Sequence, residues 1–442
     1  MTNFAGFSML FLLSVFNCRV LSTKGFYTTA SSAKRFSHTF TSRTPTRMMS
    51  QSNRMSTTSE DVSSDGGAEG SSLRVLCEVT KRACDILTPM IVSIYNSIQA
   101  SDANGQKSKV KVDDSAFTIA DGVVQHLLTK ELLGNIGVRA IVGEEECDIN
   151  LSRPPFLVDD LVVPDEFIPM IEKARDGMKE LAREIPRDDV ALYKTLTVFV
   201  DPIDGTKEFV IGKGDQCSVC VGFADSDGRA VAGVVYRPLT EPPTWAAGAK
   251  SEGYFDSVLN DAETKPQKGL LTSNGSISPF LAALMEELGM DRVPSGGAGN
   301  KMLMLLEGRG TAYIQDRGVS RWDTCGAQAC IEASGGVLCK LTSFIDGENA
   351  GDENSSYTYL QSNTNLDFEE GISNLTPYNC QPSVGLKRGD PVRLAKSVEE
   401  VKPYSNLCGL VALAREENTQ DRMDAILEGI KKASNLSPPS YD

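Results

Sequence analysis

The run Thr195-Leu-Thr-Val-Phe-Val200 leads directly into Asp201-Pro202-Ile203-Asp204-Gly205-Thr206. The apolar run reads as a buried strand, so both carboxylates are expected just past a strand end. Pro202, between them, fixes its own φ. Hard divalent cations take oxygen ligands, and Mg²⁺ favours a few carboxylates in near-octahedral geometry. Two aspartates and an exposed Ile203 carbonyl at this spacing can bridge two such ions. The same residue types also build an ordinary Asp/Pro/Gly turn, so the rest of the chain has to decide.

Two further acidic stations bear on that choice. Upstream, Val138-Arg-Ala-Ile-Val142 reads as a second buried strand and runs into Gly143-Glu144-Glu145-Glu146. Downstream, Arg321-Trp322-Asp323-Thr324 opens a stretch of small residues from Cys325 to Gly336. That stretch suits a helix N-terminus carrying an aspartate cap. Taken singly, the Glu run is a solvated loop and Asp323 is a cap. Taken with Asp201 and Asp204, they place acids at the edges of several regular elements, as a multi-metal phosphate site requires.

The pieces Gly143-Glu144-Glu145, Asp201-Pro-Ile-Asp-Gly-Thr-Lys-Glu-Phe209, Gly297-Ala-Gly-Asn-Lys301 and Trp322-Asp-Thr-Cys325 occur in that order. In this the chain resembles the lithium-sensitive, Mg²⁺-dependent phosphomonoesterases of the inositol monophosphatase superfamily. Within it the chain looks most like the 3′(2′),5′-bisphosphate nucleotidase branch. The resemblance spans roughly residues 72 to 415. Fructose-1,6-bisphosphatases, a neighbouring group, usually follow the motif glycine with two serines, whereas Thr-Lys-Glu-Phe follows here.

The resemblance implies an α/β (α+β) layered α/β/α/β/α sandwich with the active site between two halves. It implies two or three Mg²⁺ ions. Glu144, Asp201 and the Ile203 carbonyl would hold the ion that acidifies the attacking water. Asp201, Asp204 and Asp323 would hold the ion on the leaving-group side. Thr206, paired with Asp121, would orient and deprotonate the water. The Gly205 and Thr206 amides would take the phosphate, and Ser273, Ser276, Gly297 and Lys301 would contact substrate. Lys207 is a further candidate for substrate charge, and Glu145 for support of the metal loop. The implied reaction removes the 3′-phosphate of 3′-phosphoadenosine 5′-phosphate, giving AMP and phosphate, and extends to the 3′-phosphate of its sulfated form, which would leave adenosine 5′-phosphosulfate. One departure bears on substrate. The branch usually carries a Ser-Arg-Ser-His-like stretch where this chain has Ser273-Asn274-Gly275-Ser276. An inositol polyphosphate 1-phosphatase and a non-catalytic nucleotide-sensing regulator therefore stay open.

Composition narrows the classes. A net charge of −15 over 442 residues argues against binding nucleic acid polymers or, for the mature protein, anionic membranes. A small phosphorylated substrate is compatible with it, because bound ions invert the local field. The chain has two histidines, His38 and His126, which excludes a histidine-rich zinc site or a His-dependent triad. Cys217 and Cys220 are expected on opposite faces of a strand, unable to clamp one metal. Residues 1–59 hold seven Lys/Arg and no acid, the composition of a plastid or mitochondrial transit peptide. Translation from Met49 or Met55 would instead give a cytoplasmic protein. Residues 60–71 read as a flexible linker, 72–268 as a metal-binding half and 269–442 as the half completing the site.

Periodicity places helices over Leu73–Ile98, Gly122–Leu133, Pro164–Ile185, Pro279–Leu288 and Asp421–Ala433. Strands are expected over Gln216–Ala224, Ala230–Tyr236, Gly253–Phe255, Leu270–Ser273, Gly308–Asp316, Gly336–Leu341 and Leu407–Ala414. Asp346–Asn365, polar and aperiodic, reads as a surface insertion.

Overall fold

The structure, a computed structural model, describes residues 72–100, 108–110, 116–257, 269–317, 319–342, 356–359, 404–406 and 409–439. They fall within one unit, Gly67–Asp442. The leader, the linker and most of the 346–365 stretch lie outside the described residues.

Two sheets organise the chain. The first comprises β1 (Ala140–Gly143), β2 (Thr197–Asp204), β3 (Ser218–Ala224), β4 (Ala230–Arg237), β5 (Thr244–Ala249) and β6 (Gly253–Asp256), in the spatial order β6-β5-β4-β3-β2-β1. Its strands are antiparallel except that β1 lies parallel to β2 at one edge. The second comprises β7 (Gly269–Thr272), β8 (Asp291–Pro294), β9 (Ala312–Gln315), β10 (Val337–Lys340) and β11 (Leu410–Leu413), in the order β8-β7-β9-β11-β10. Near-continuous apolar runs mark strands covered on both faces. β2, β3 and β4 are buried at every position.

Three cores separate the layers. Helices α1 (Ser72–Gln99), α2 (Ile119–His126) and α3 (Ile168–Glu184) cover one face of the first sheet. The stripe Ile171, Ala174, Met178 and Leu181 packs α3 into that core, so the segment between the first two acidic stations contains a packed helix. Helix α4 (Pro279–Leu288) comes next in the chain, before α5 (Ala298–Leu306) and α6 (Arg321–Ala333). Helices α5 and α6 fill the space between the sheets, with Phe199, Cys220 and Val235 from the first and Leu271, Tyr313 and Ala412 from the second. Helix α7 (Gln420–Leu436) pairs with α4 on the far face of the second sheet, over Leu270, Ile314 and Val411. The alternation of Leu270/Leu271 and Val411/Ala412 between cores is the period of two that a sheet imposes. The result is a layered α/β/α/β/α sandwich. Cys217 and Cys220 belong to different cores, as their spacing predicts.

Two segments depart from expectation. Tyr357 and Tyr359, within the supposed surface insertion, are buried. The Tyr359 hydroxyl donates to Gln328 Oε1 on α6 at 2.7 Å, so this polar stretch returns into the core to satisfy a buried amide. Helix α2 does not run uninterrupted to Leu133 but passes into a π-helical segment at Leu127–Leu132. No described helix is long and apolar enough to cross a membrane.

Candidate metal and phosphate site

Both aspartates of the central motif lie within β2, not beyond it as the sequence predicted. Asp201 pairs with Cys220 and Asp204 with Ser218, so three steps on β2 match two on β3. Pro202 has no N–H to offer the ladder, and a bulge is where a sheet tolerates it. The bulge has a chemical consequence. Residues three apart on a regular strand face opposite ways, and the extra residue brings both carboxylates to one side.

Two helix starts supply further acids, by the same device. Helix α2 is capped by Thr118, and Asp121 stands at its third position, with Oδ2 accepting the Thr118 amide at 2.8 Å. Helix α6 is capped by Ser320, and Asp323 stands at its third position, with Oδ2 accepting the Ser320 amide at 2.6 Å. Asp323 is therefore the reciprocal member of a capping box and not the cap itself, and α2 starts three residues before Gly122. The pattern Ser/Thr-x-x-Asp carried this in the sequence. Helix N-termini favour negative charge, which helps hold the buried Asp121 and the half-buried Asp323 there.

Carboxylate oxygens of Asp201, Asp204 and Asp323 all lie within 4.8 Å of one another. Asp201 is 1% exposed, and its Oδ1 has no hydrogen-bond partner. Burial, with the charges of Glu144, Asp204 and Asp323, pushes its carboxyl well above the usual range. Burial, with the Asp204 charge, pushes Asp323 up to about 6. Asp204 is better satisfied. Its Oδ2 accepts Ser218 Oγ at 2.8 Å and the Asn300 amide at 3.1 Å, and its Oδ1 accepts the Ala298 amide at 2.8 Å. Burial still raises its pKa against these bonds and the Lys301 charge. Besides offering an oxygen to the cluster, Asp204 thus anchors the first turn of α5, a role the sequence did not reveal.

Glu144 follows β1, and its amide donates to Val200 O at 3.0 Å. Its charge acts on Asp201, but it stands outside the tight trio. Glu145 is buried beside it. An oxygen-only donor set suits Mg²⁺ and disfavours softer metals. The unpartnered Asp201 oxygen and the raised carboxyl pKa values are what a bound cation relieves, so these residues fit the Mg²⁺ implied by the resemblance.

Thr206 opens the short helix Thr206–Val210, and its Oγ1 is 3.1 Å from Asp121 Oδ1 and 2.9 Å from Ile203 O. Gly205 before it adopts φ +89°, a left-handed conformation that favours glycine. Gly297 leads into α5, and a Cβ there would meet Asp204 Oδ2 at 2.6 Å. Lys301, one turn on, is buried over the Tyr313 ring, with Nζ donating to Gly297 O. Burial pulls its pKa down while Asp204, Glu208 and Asp323 hold it up. Lys207 is exposed. Ser273 and Ser276 are exposed on the loop after β7, where they line a cavity of about 50 Å³ with Gln315 and Arg317. Their link to the rest is Asn274, which donates to Glu208 Oε1 at 3.0 Å and Gln216 Oε1 at 2.7 Å. Asn274, Gln216, Ser218 and Asn300 were not read from the sequence. They come from separate elements, and no spacing links them.

Residues 73–363 match the model of the inositol monophosphatase family. The 3′(2′),5′-bisphosphate nucleotidase 1 of Rattus norvegicus is 32% identical over 242 residues, covering 51% of this chain and 71% of the relative. The putative inositol monophosphatase 3 of Drosophila melanogaster is 27% identical over 246 residues, covering 53% and 63%. Among solved structures, an inositol monophosphatase of Thermotoga maritima covers 80% of this chain and 98% of its own, at 12% identity and a TM-score of 0.43. With the family model matching well over half its length, this chain belongs to the inositol monophosphatase family.

Proposed function

We propose that the chain is a Mg²⁺-dependent phosphomonoesterase that removes the 3′-phosphate of 3′-phosphoadenosine 5′-phosphate, giving AMP and phosphate. The observation that carries the chemistry is the Asp121–Thr206 hydrogen bond beside a carboxylate trio, two of its members buried, with an unpartnered Asp201 oxygen. The 32% identity to a bisphosphate nucleotidase supports the substrate.

Bound Mg²⁺ supplies charge for the phosphoryl oxygens and lowers the pKa of the attacking water. Asp201, with Glu144 and the Ile203 carbonyl, would hold one ion; Asp201, Asp204 and Asp323 would hold a second. Thr206 Oγ1 donates to Asp121 and so presents a lone pair to the water. Its hydroxyl is a poor base but a good orienting group, and Asp121 receives the proton through it. The water oxygen bonds to phosphorus while the bond to the ribose oxygen breaks, and that oxygen leaves as the 3′-hydroxyl after taking a proton from solvent. The Gly205 and Thr206 amides steady the phosphate, and Lys301, Gly297, Ser273 and Ser276 border the substrate. The leader composition supports delivery to a plastid or mitochondrion.

A second reading, an inositol polyphosphate 1-phosphatase, is favoured by the loop Ser273-Asn274-Gly275-Ser276, which brings neither Arg nor His. Phosphate release with Mg²⁺ from 3′-phosphoadenosine 5′-phosphate and inositol 1,4-bisphosphate, side by side, decides between them. Preference for the nucleotide is expected. Preference for the inositol phosphate would transfer the mechanism to the second reading. Release from neither, with EDTA-sensitive nucleotide binding, would indicate a regulator.

A further inference from the structure

Gln125 lies four residues after Asp121 on α2, hence on the same helix face. Its side-chain amide makes two hydrogen bonds to a single residue of the metal loop. Oε1 accepts the Glu145 amide at 2.9 Å, and Nε2 donates to Glu145 O at 2.6 Å. This is the paired exchange that a neighbouring strand residue would make. No strand makes it, because β1 is the sheet edge and has β2 as its single strand neighbour among the described residues. Glu144 lies just before this clamp, and its own amide is tied to Val200 O. Gly143 makes room for the clamp, since a Cβ there would come within 2.3 Å of Gln125 Oε1.

We propose that Gln125 is a positioning residue, which holds the Glu144 loop against Asp201 and ties it to the helix that carries Asp121. The inference rests on the metal-site reading above. An ion held by Glu144 and Asp201 needs the loop fixed relative to β2. Among the described residues the edge of the sheet offers no ladder for that purpose, and the Gln125 amide substitutes for one. Groups that orient metal ligands are commonly worth roughly 10- to 100-fold in metal affinity.

The test is calorimetric titration of Mn²⁺ into the full chain, with melting temperature in EDTA and hydrogen exchange at the Glu145 amide as readouts independent of activity. Gln125→Ala is expected to weaken Mn²⁺ binding by roughly 10- to 100-fold, speed exchange at Glu145 and leave KM at saturating metal unchanged. Gln125→Glu keeps the acceptor for the Glu145 amide and should recover part of the exchange protection. Gly143→Ala should reproduce the Gln125→Ala losses by displacing the flexible end of the side chain, and it carries the test if Gln125→Ala does not fold. The double variant should bind no more weakly than Gln125→Ala alone, because both remove one clamp. Wild-type Mn²⁺ affinity in a folded Gln125→Ala chain, or additive losses in the double variant, would overturn the inference. A wild-type chain that binds no Mn²⁺ overturns the metal-site reading itself, and the inference with it.

Discussion

A carboxylate 1% exposed, with one oxygen lacking a hydrogen-bond donor and three other acids acting on it, destabilises a metal-free fold. The sign of the resulting pH dependence follows from linkage. Asp323 titrates near 3.8 when unfolded and near 6 in the fold, so the folded state holds the extra proton. That contribution to stability is fully present below about 3.8 and is lost as pH rises through about 6. The Asp201 shift has the same direction. Thermal scans in EDTA should therefore show Asp201→Asn more stable than wild type at pH 8, with a smaller margin at pH 5. In Mg²⁺ the order should reverse at pH 8, because binding to the native state adds stability only where the ligand set is intact. Equal melting temperatures in EDTA at pH 8 would mean that the trio carries no electrostatic penalty.

At the scale of elements, the placement of Asp323 depends on how closely α6 approaches the first sheet. A Cβ on Gly222 would come within 2.4 Å of Gly326 N, and one on Gly233 within 2.4 Å of Gly326 O. Backbone meets backbone there, so no side-chain rotation relieves the overlap. Gly233→Ala is expected to cost about 1–3 kcal/mol in urea denaturation, in the range of other overpacked interiors. It should also weaken metal binding, since α6 carries Asp323 in its first turn. Gly275→Ala, with open space around it, is the stability control. The same contrast marks what the sequence could reveal. β2, β3 and β4 were legible because their apolar runs are long, and α1 and α3 because their stripes recur every three to four residues. Helix α5 follows Gly297 and has Gly299 in its first turn, and two glycines so close together carry no helix signal. Its glycines are there because Asp204 and Cys220 press against them, a cause that lies in other strands. Strand β5, Thr244–Ala249, is mostly small residues behind Pro242-Pro243 and carries no strand signature of its own. The acids of the site were legible as residue types. The bulge that turns Asp201 and Asp204 to one side was not, because a slip in pairing is a property of β2 and β3 together.

Across the whole molecule, one buried ion pair joins the first sheet to the layer that carries half the site. Arg237 at the end of β4 is 2% exposed and forms a bidentate pair with Glu307, at 2.6 and 3.1 Å. Its Nε donates to Asn300 Oδ1 at 2.6 Å, and the Asn300 amide in turn donates to Asp204. Asp204, the start of α5 and the end of β4 thus share one hydrogen-bonded path. Buried pairs of this kind add little net stability, yet removing one partner strands the other charge out of water. Arg237→Ala is therefore expected to cost about 3 kcal/mol in urea denaturation, because Glu307 keeps only the largely exposed Arg309, at 3.3 Å, as a counter-charge among the described residues. Arg237→Met with Glu307→Leu should recover most of that loss, because neither charge then remains buried. If the path also fixes Asp204, the double variant should regain stability without fully regaining Mg²⁺ affinity, since the Arg237–Asn300 bond stays broken. A double variant as unstable as Arg237→Ala would show instead that the guanidinium's packing, not the stranded charge, holds the layers together.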